Sequence, residues 1–530
     1  MNRLFLLLCG LIISFSPSIG VGAENLVADV CVVGGSTSGV AAAISARRAG
    51  AEKVVLVEEL AHVGGRMSET LGFGEQDRMK PESLGGLWME LESRVAERYG
   101  KKVSTPEPHV IEQVIDDWLA SAGVTVLKKF RVAKVTQQER RVTQVTADDG
   151  RCVVATVFID ATYTGDLIAK AGLSWTIGRE SRSQYDESLA GVMLKLENPP
   201  GKIVEDIHRS PVSGFTKDGV TLLPHVSGLT TDVTAGAGDE HLQCFNFYAC
   251  LSSDLDNRVE LTEPEGYDPA EFELLRREIQ RLGRVKFGLG NSVPNQKTKI
   301  NDGVPLLLHW GLVGGGDGYS EASPEQRRAI WERHRDYTHR LLWFLQHDPA
   351  VPEKQREGFL KWGLPRDEFV ENGHWPWDVY IREGRRLVGD RVMTQRDLFE
   401  QIAKPDAIAL GSFPVDSHVV QRLATPDGTA VVNEGGYLVE PPLYQIPYSA
   451  LLPKKEECTN LLSSVCMSSS RVAFNSLRVE PTWMLTGQAS GIAAAMASQY
   501  SGKVHDLPVN ELQDKLRAAR VTVDLPKAGD

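Results

Sequence analysis

The chain has 530 residues, and its 58 Lys and Arg stand against 70 Asp and Glu, a net charge of −12 with histidine neutral. That length suffices for two or three structural domains with substantial cores. An acidic balance without a basic run argues against nucleic acid and anionic membrane surfaces as partners.

The first 23 residues carry a single charge, Arg3, an apolar run over Leu4–Ile13, and the small residues Val21-Gly22-Ala23. This is the pattern of a secretory signal. The run is too short to cross a bilayer, which takes about 20 apolar residues, and no later segment reaches that length. The protein is therefore expected to be exported, periplasmic or extracellular, with no transmembrane segment. Six cysteines follow the signal: Cys31, Cys152, Cys244, Cys250, Cys458 and Cys466. Three lie in apolar strand-like runs and read as buried thiols, while Cys244 and Cys250 form the one close pair suited to a disulfide. No Cys-x-x-Cys or His/Cys cluster has the spacing of a metal site, so no metal is expected.

Residues 28–58 read as strand, glycine turn, helix, strand and acid. The β-branched run Val30–Val33 leads into Gly34-Gly35-Ser36-Thr37-Ser38-Gly39, an alanine-rich helix runs to about Ala49, and the strand Val54–Val57 ends in Glu58. Each part serves to hold a dinucleotide. Gly34 permits the tight turn, Gly39 allows close packing of helix on strand, and the N–H groups opening the helix face a pyrophosphate. Glu58 is placed to accept hydrogen bonds from ribose hydroxyls. Ser36 departs from the pattern, standing where the middle glycine of G-x-G-x-x-G belongs.

Helices are predicted over 83–99 and 109–122 and a third strand over 124–127. Three further β runs follow, over 131–135, 142–146 and 152–159, with a turn at Asp148-Asp149-Gly150. That order predicts a parallel sheet with a small antiparallel appendage. The loop Asp160–Asp166 should border the dinucleotide, because ligands of open parallel sheets sit at the carboxyl ends of strands. Residues 178–445 lose the alternating order. They hold helical stretches near 269–282 and 324–348 and six of the ten tryptophans, which at helical spacing read as core more readily than as sugar platforms. Gly311–Gly318 lacks the glycine spacing of a nucleotide turn and reads as a loop. Strand character returns at Leu461–Met467, and Pro481 opens a helix continued by Gln488–Ala495.

Together the segments VVGGSTSGVAAA (32–43), VGGRMSETLG (63–72), FIDATYTGDLIAKAG (158–172), GRESRSQYDESLAG (178–191), YIREGRRLVGD (380–390), FPVDSHVVQR (413–422) and SLRVEPTWMLTGQASGIAAA (476–495) resemble the FAD-dependent oxidoreductase family. Its members share a glutathione-reductase-like FAD domain. The likeness covers nearly the whole chain after the signal. It implies an α/β fold: a Rossmann-like FAD-binding domain with a parallel sheet and β-meander, plus an inserted α+β substrate or cap domain. The expected division is signal 1–23, FAD-binding domain 24–177 and 446–530, and substrate domain 178–445. Two departures stand out: Ser36 for the second glycine, and Ala161-Thr162-Tyr163 where an Ala-Thr-Gly turn is frequent.

The resemblance implies that Gly34, Gly35, Ser36, Thr37, Ser38 and Gly39 meet the pyrophosphate and Glu58 the ribose. Gly65 and Arg66 would wrap the phosphates and ribityl chain, and Val132 would meet the adenine. Asp160 and Gln488 complete the expected FAD set. The C-terminal helix would point its amino end at the flavin, where its dipole stabilises charge building on the ring as hydride arrives at N5. For the substrate, Asp416 and His418 are two apart in an extended run, so the carboxylate could orient the imidazole as a base. Arg386 and Arg478 are the other catalytic candidates, and Arg382, Arg385 and Arg386 could clamp an acidic substrate or pair with Glu383 and Asp390. The expected activity is hydride transfer from an organic, carbohydrate-derived substrate, with a quinone, a cytochrome or oxygen as the electron acceptor. Two other readings keep the flavin: a sugar lyase or isomerase using redox transiently, and a flavoprotein that binds a partner without turnover.

Overall fold

A computed structural model of the chain describes residues 26–302 and 306–526, so the expected signal segment lies outside the described residues. β1 (Leu26–Val33) feeds the glycine turn and then α1 (Thr37–Arg48). Ser36 caps that helix, its Oγ accepting from Gly39 N at 3.3 Å. β2 (Val54–Val57), α2 (Gly86–Tyr99), α3 (Pro108–Ser121) and β3 (Thr125–Leu127) follow in the expected order. Then β4 (Val132–Gln138), β5 (Arg141–Ala147) and β6 (Cys152–Asp160) form an antiparallel meander.

The sheet runs β3-β2-β1-β6, all parallel. β6 is long enough to divide its second edge. Its first half pairs with β5, whereas Phe158–Asp160 pair in parallel with a strand from the far end of the chain, Leu461–Ser463. Valine-rich strands buried on both faces are what a covered parallel sheet requires. The far end supplies one of the covers, the helix Glu480–Gln499, which lies across α1. Backbones touch there. A Cβ on Gly487 would stand 2.1 Å from Ser38 O, and one on Gly491 2.1 Å from Ala42 O. The small residues of the 488–495 run therefore serve the helix crossing.

The middle of the chain forms short sheets of its own. Strands at Gly228–Leu229, Gln421–Ala424, Val431–Glu434 and Arg209–Ser210 make one, and Val415–Ser417, Tyr437–Glu440 and Lys202–Glu205 another. The long helix Pro324–His347 belongs to this part of the chain, and its capping box at Ser323 and Gln326 marks its start. A separate apolar core gathers here around Phe247, Trp310, Trp331, Phe344, Trp362 and Trp375. Those four tryptophans are core, as helical spacing suggests. Trp343 and Trp377 are not: they stack on His347 at 3.6 Å and on His62 at 3.5 Å. The chain is thus α/β, with a Rossmann-like sheet and an α+β middle.

Three expectations are corrected. The strand at 461 stops at Ser463, and a helix not foreseen, Arg471–Leu477, follows it, capped by Ser470. The stretch 269–282 divides into a 3-10 turn, Pro269–Phe272, and the helix Glu273–Leu282. Cys244 and Cys250 form no disulfide; both are free and buried, and the Cys244 thiol faces Asp302 Oδ2 at 3.4 Å. Among the described residues no helix is long and apolar enough to cross a membrane.

Candidate active site

A cleft of about 590 Å³ opens at the carboxyl ends of β1, β2 and β6, within the range of cofactor pockets. Gly34, Ser36, Glu58, Gly65, Arg66 and Val132 line it, joined by the Ala161–Thr164 turn. Gly39 lies behind the turn, where a Cβ would stand 1.9 Å from Gly34 O. Only glycine lets strand and helix close that tightly. At the amino end of α1, the amides of Thr37 and Ser38 donate to no described residue. They are the free donors an anion needs at a helix start. Ser36, in place of the usual glycine, donates from Oγ to Ala161 O at 2.7 Å and so fastens the turn to β6.

The Glu58 carboxylate accepts from Gly35 N, and from Leu60 N at 2.7 Å. It braces the turn against β2 while facing the cleft. Glu58→Ala is expected to weaken FAD binding about 10- to 100-fold, the cost of losing charge-assisted hydrogen bonds at this position. Titration of FAD into the variant, read by fluorescence quenching, checks this. Arg66 is buried, pairs with Glu69 and with Asp378 at 3.1 Å, and keeps an Nε without a partner. An unmet guanidinium donor in a cleft beside a helix start suits a diphosphate. Tyr163, at the departed turn, bonds Arg66 N at 3.1 Å and Glu480 Oε1 at 2.8 Å, so the amino end of the C-terminal helix does reach this region. Free helix-start amides, the open Arg66 Nε and Glu58 together fit an adenine dinucleotide.

The opposite wall was not legible in sequence. Tyr319, Arg327, Trp331, Trp377 and Asp378 come from the middle of the chain. Arg327 pairs with Asp166 at 2.7 Å and ties that wall to the loop after β6.

Some expected residues lie elsewhere. Asp160 is buried beneath its loop, accepting from Thr162 N at 2.9 Å and Ile168 N at 2.9 Å, and shapes the turn without facing the cleft. Gln488 lies two turns along its helix and lines a separate crevice, where its Oε1 accepts from Leu87 N at 2.9 Å. Arg386 is not placed for catalysis: its Nη2 is spent on Glu180 at 2.6 Å and Gly178 O at 3.0 Å. Glu383 pairs with Arg471 at 2.8 Å, so it is no partner to the neighbouring arginines.

His418 and Arg478 meet in a buried polar cluster beside the same helix end. His418 Nδ1 lies 2.9 Å from Asp302 Oδ2, and its Nε2 faces Asp416 Oδ1 at 3.4 Å. The orienting carboxylate is therefore Asp302, a residue sequence reasoning missed, and Asp416 stands on the other face of the ring. Asp302 is also bonded by His309 and by Gly311 N at 3.3 Å. Burial raises the Asp302 carboxyl, but His309, His418 and Arg382 outweigh it and hold the group well below the usual carboxylate range. Asp416 is likewise held low by His418 and Arg478 against the effect of its burial. Arg478 Nη2 donates to Gln243 Oε1 at 3.1 Å and to Asp416 O at 2.5 Å. Two residues on, Glu480 N donates to Glu75 at 2.8 Å. The Arg478–Glu480 segment thus joins this cluster to the cofactor cleft.

Desolvation pushes the carboxyls of Glu58 and Glu480 up to about 7 and those of Glu69 and Glu75 up to about 8, from an ordinary 4.5. The folded chain therefore keeps protons that the unfolded chain releases above pH 4.5. This stabilisation is complete below the unfolded value and lost as pH rises through 7 to 8. FAD-free protein should lose stability from these carboxyls as pH rises from 5 to 8, most clearly above pH 6.5, where the buried His208 and His334, held down to about 4, no longer act in the opposite sense. Melting curves across that window check it, and stability rising with pH above 6.5 would contradict it.

The fold and cleft define a dinucleotide-binding α/β enzyme. A family model described as "FAD dependent oxidoreductase" matches residues 29–516. The chain belongs to that family, is an oxidoreductase, and uses FAD. No curated protein matches it. Among solved structures it is similar to a flavin-containing monooxygenase from Stenotrophomonas maltophilia, with 22% identity over 30% of this chain and 44% of that one, at a TM-score of 0.19. It is also similar to glycine oxidase from Geobacillus kaustophilus, with 14% identity over 30% of this chain and 64% of that one, at 0.24. THI4 from Thermovibrio ammonificans shows 19% identity over 31% of this chain and 72% of that one, at 0.21. The chain spans under half the length of the monooxygenase.

Proposed function

We propose that this protein is an exported oxidoreductase that oxidises a hydroxyl-bearing, carbohydrate-derived organic substrate, with His418 as the base. The observation that carries the reading is the buried imidazole held at Nδ1 by an ionised Asp302, beside the helix end that borders the cofactor cleft. Bound FAD supplies the two-electron acceptor. Gly34, Ser36, Glu58, Gly65, Arg66 and the start of α1 would hold it.

The protein's own part is positional and acid–base. Asp302 holds the proton on Nδ1, which leaves Nε2, 3.4 Å from Asp416 Oδ1, as the ring atom that exchanges a proton. A substrate hydroxyl placed there gives its proton to Nε2 as the carbon it belongs to loses hydrogen with two electrons and becomes a carbonyl. Arg478, anchored on Asp416 and Gln243, keeps Asp416 ionised at that face. The buried setting excludes water from the reacting pair. The electron acceptor that reoxidises the enzyme is a quinone, a cytochrome or oxygen, since an exported protein meets no nicotinamide pool.

The test is an anaerobic screen of sugars, polyols and their acids against the holoenzyme, followed by flavin absorbance. A hydroxyl compound should bleach the flavin, and a quinone or oxygen should restore it. Full turnover with no acceptor present would contradict the reading.

A further inference from the structure

The run Tyr380–Asp390 offers three neighbouring arginines that look equivalent in sequence. Their surroundings separate them. Arg385 donates to Thr164 O at 2.9 Å and Ser320 O at 2.6 Å, Arg386 holds Glu180 at 2.6 Å, and each leaves one nitrogen unmet. Arg382 leaves two. It is 1% exposed, its Nη1 donates to Cys244 O, and its Nε and Nη2 meet no acceptor among the described residues.

Those two nitrogens are the parallel donors along one edge of the guanidinium, the geometry that takes a carboxylate in bidentate fashion. The protein uses this edge elsewhere in that way. Arg179 Nε and Nη2 hold Asp239 at 2.9 and 2.5 Å, and Arg340 Nε and Nη2 hold Glu271 at 2.6 and 3.2 Å. For Arg382 the nearest carboxylate oxygen, Asp302 Oδ2, is 3.6 Å from Nη2 and is already bonded by His418 and Cys244. A buried guanidinium edge without a partner is costly unless a ligand fills it.

The unpartnered edge belongs to the His418 cluster. The Arg382 guanidinium stacks over the Tyr380 ring at 4.8 Å, and the hydroxyls of Tyr380 and Tyr248 make no hydrogen bond among the described residues. On the far side Arg478 also keeps an unmet Nε, and Gln243 Oε1 accepts from both Arg478 and His418 N. Two guanidiniums with unused donors therefore flank the imidazole. Asp302 and Asp416 offset them. The Lys299 ammonium lies 5.8 Å from the Tyr248 ring centre and donates to Leu71 O.

We propose that the substrate carries a carboxylate near its reacting hydroxyl, making it a hydroxy acid or sugar acid, and that Arg382 and Arg478 bind this carboxylate while the hydroxyl meets His418. The inference rests on the reading of His418 as the reacting end of the site.

The experiment titrates holoenzyme with D-glucuronate, D-galacturonate and glycolate, each against a neutral counterpart (D-glucose, D-galactose and ethylene glycol), and with inorganic phosphate. The readout is perturbation of the bound flavin spectrum. At least one carboxylate should bind ten-fold or more tightly than its neutral counterpart and more tightly than phosphate. Arg382→Met should remove that preference, and Arg382→Lys should restore part of it, with flavin content and melting temperature reporting on folding. Absence of carboxylate binding, equal binding of the neutral compounds, tighter binding of phosphate, or a preference that survives in folded Arg382→Met or Arg382→Lys at wild-type strength would overturn the proposal. If neither variant folds, the wild-type discrimination decides. His418→Gln separates the two readings: carboxylate preference retained with flavin reduction unimpaired removes the base and leaves the clamp, whereas reduction lost with no carboxylate preference does the reverse.

Discussion

Gly39→Ala is expected to give a protein with almost no bound FAD and a loss of about 3 kcal/mol or more of stability. The added methyl would stand 1.9 Å from Gly34 O and 3.2 Å from the Ala161 Cβ. Neither neighbour is the free end of a flexible side chain: one is the backbone of the cofactor turn, the other the first residue after β6. Relief therefore requires α1 to back away from the sheet, but α1 is pinned from behind by the 480–499 helix, where Gly487 and Gly491 already bring backbones into contact. Strain at one methyl is passed to the turn that carries the free helix-start amides. Flavin content after purification and a thermal melt measure both effects. Ser36→Gly supplies the contrast: glycine is nearly as good a cap, so its cost is expected to be about 1 kcal/mol, chiefly the lost Oγ hydrogen bond to Ala161 O. A Gly39→Ala protein with a full complement of FAD would show that the close packing is not what builds the cradle.

His418→Gln should act at the other end of the site and leave FAD binding intact. Removing a general base typically costs 10²- to 10⁴-fold in rate, and a loss of about that size is expected in the rate of anaerobic flavin reduction. Glutamine keeps a polar group near Asp302, so the buried carboxylate is not left wholly unpartnered. Stopped-flow reduction with any compound that bleaches the wild type decides it. An unchanged rate would move the base to another group, with Asp416, whose Oδ1 lacks a hydrogen-bond partner, next in line.

The cofactor half of the molecule was legible because it is local. The strand, turn, helix, strand and acid within 28–58 follow one another without interruption, and periodicity with glycine placement is enough to specify them. The substrate half was not, because its contacts join residues far apart in a segment with no sustained period. Asp302 lies 116 positions from His418, on a short irregular stretch with no motif around it. The sequence suggested Asp416 as the orienting carboxylate from adjacency alone, and adjacency placed it on the wrong nitrogen. Arg386 misled for a similar reason, since Glu180, its partner, is 206 positions away. Gln488 looked functional as a polar residue within a run of small ones. It caps a packing seam, bonding Leu87 N across to α2.

The most direct measurement is the visible spectrum of purified residues 24–530 before and after addition of FAD, with the released cofactor identified after denaturation. The account predicts a yellow protein, or one that turns yellow with FAD, containing about one FAD per chain. A protein that remains colourless with excess FAD present would contradict it.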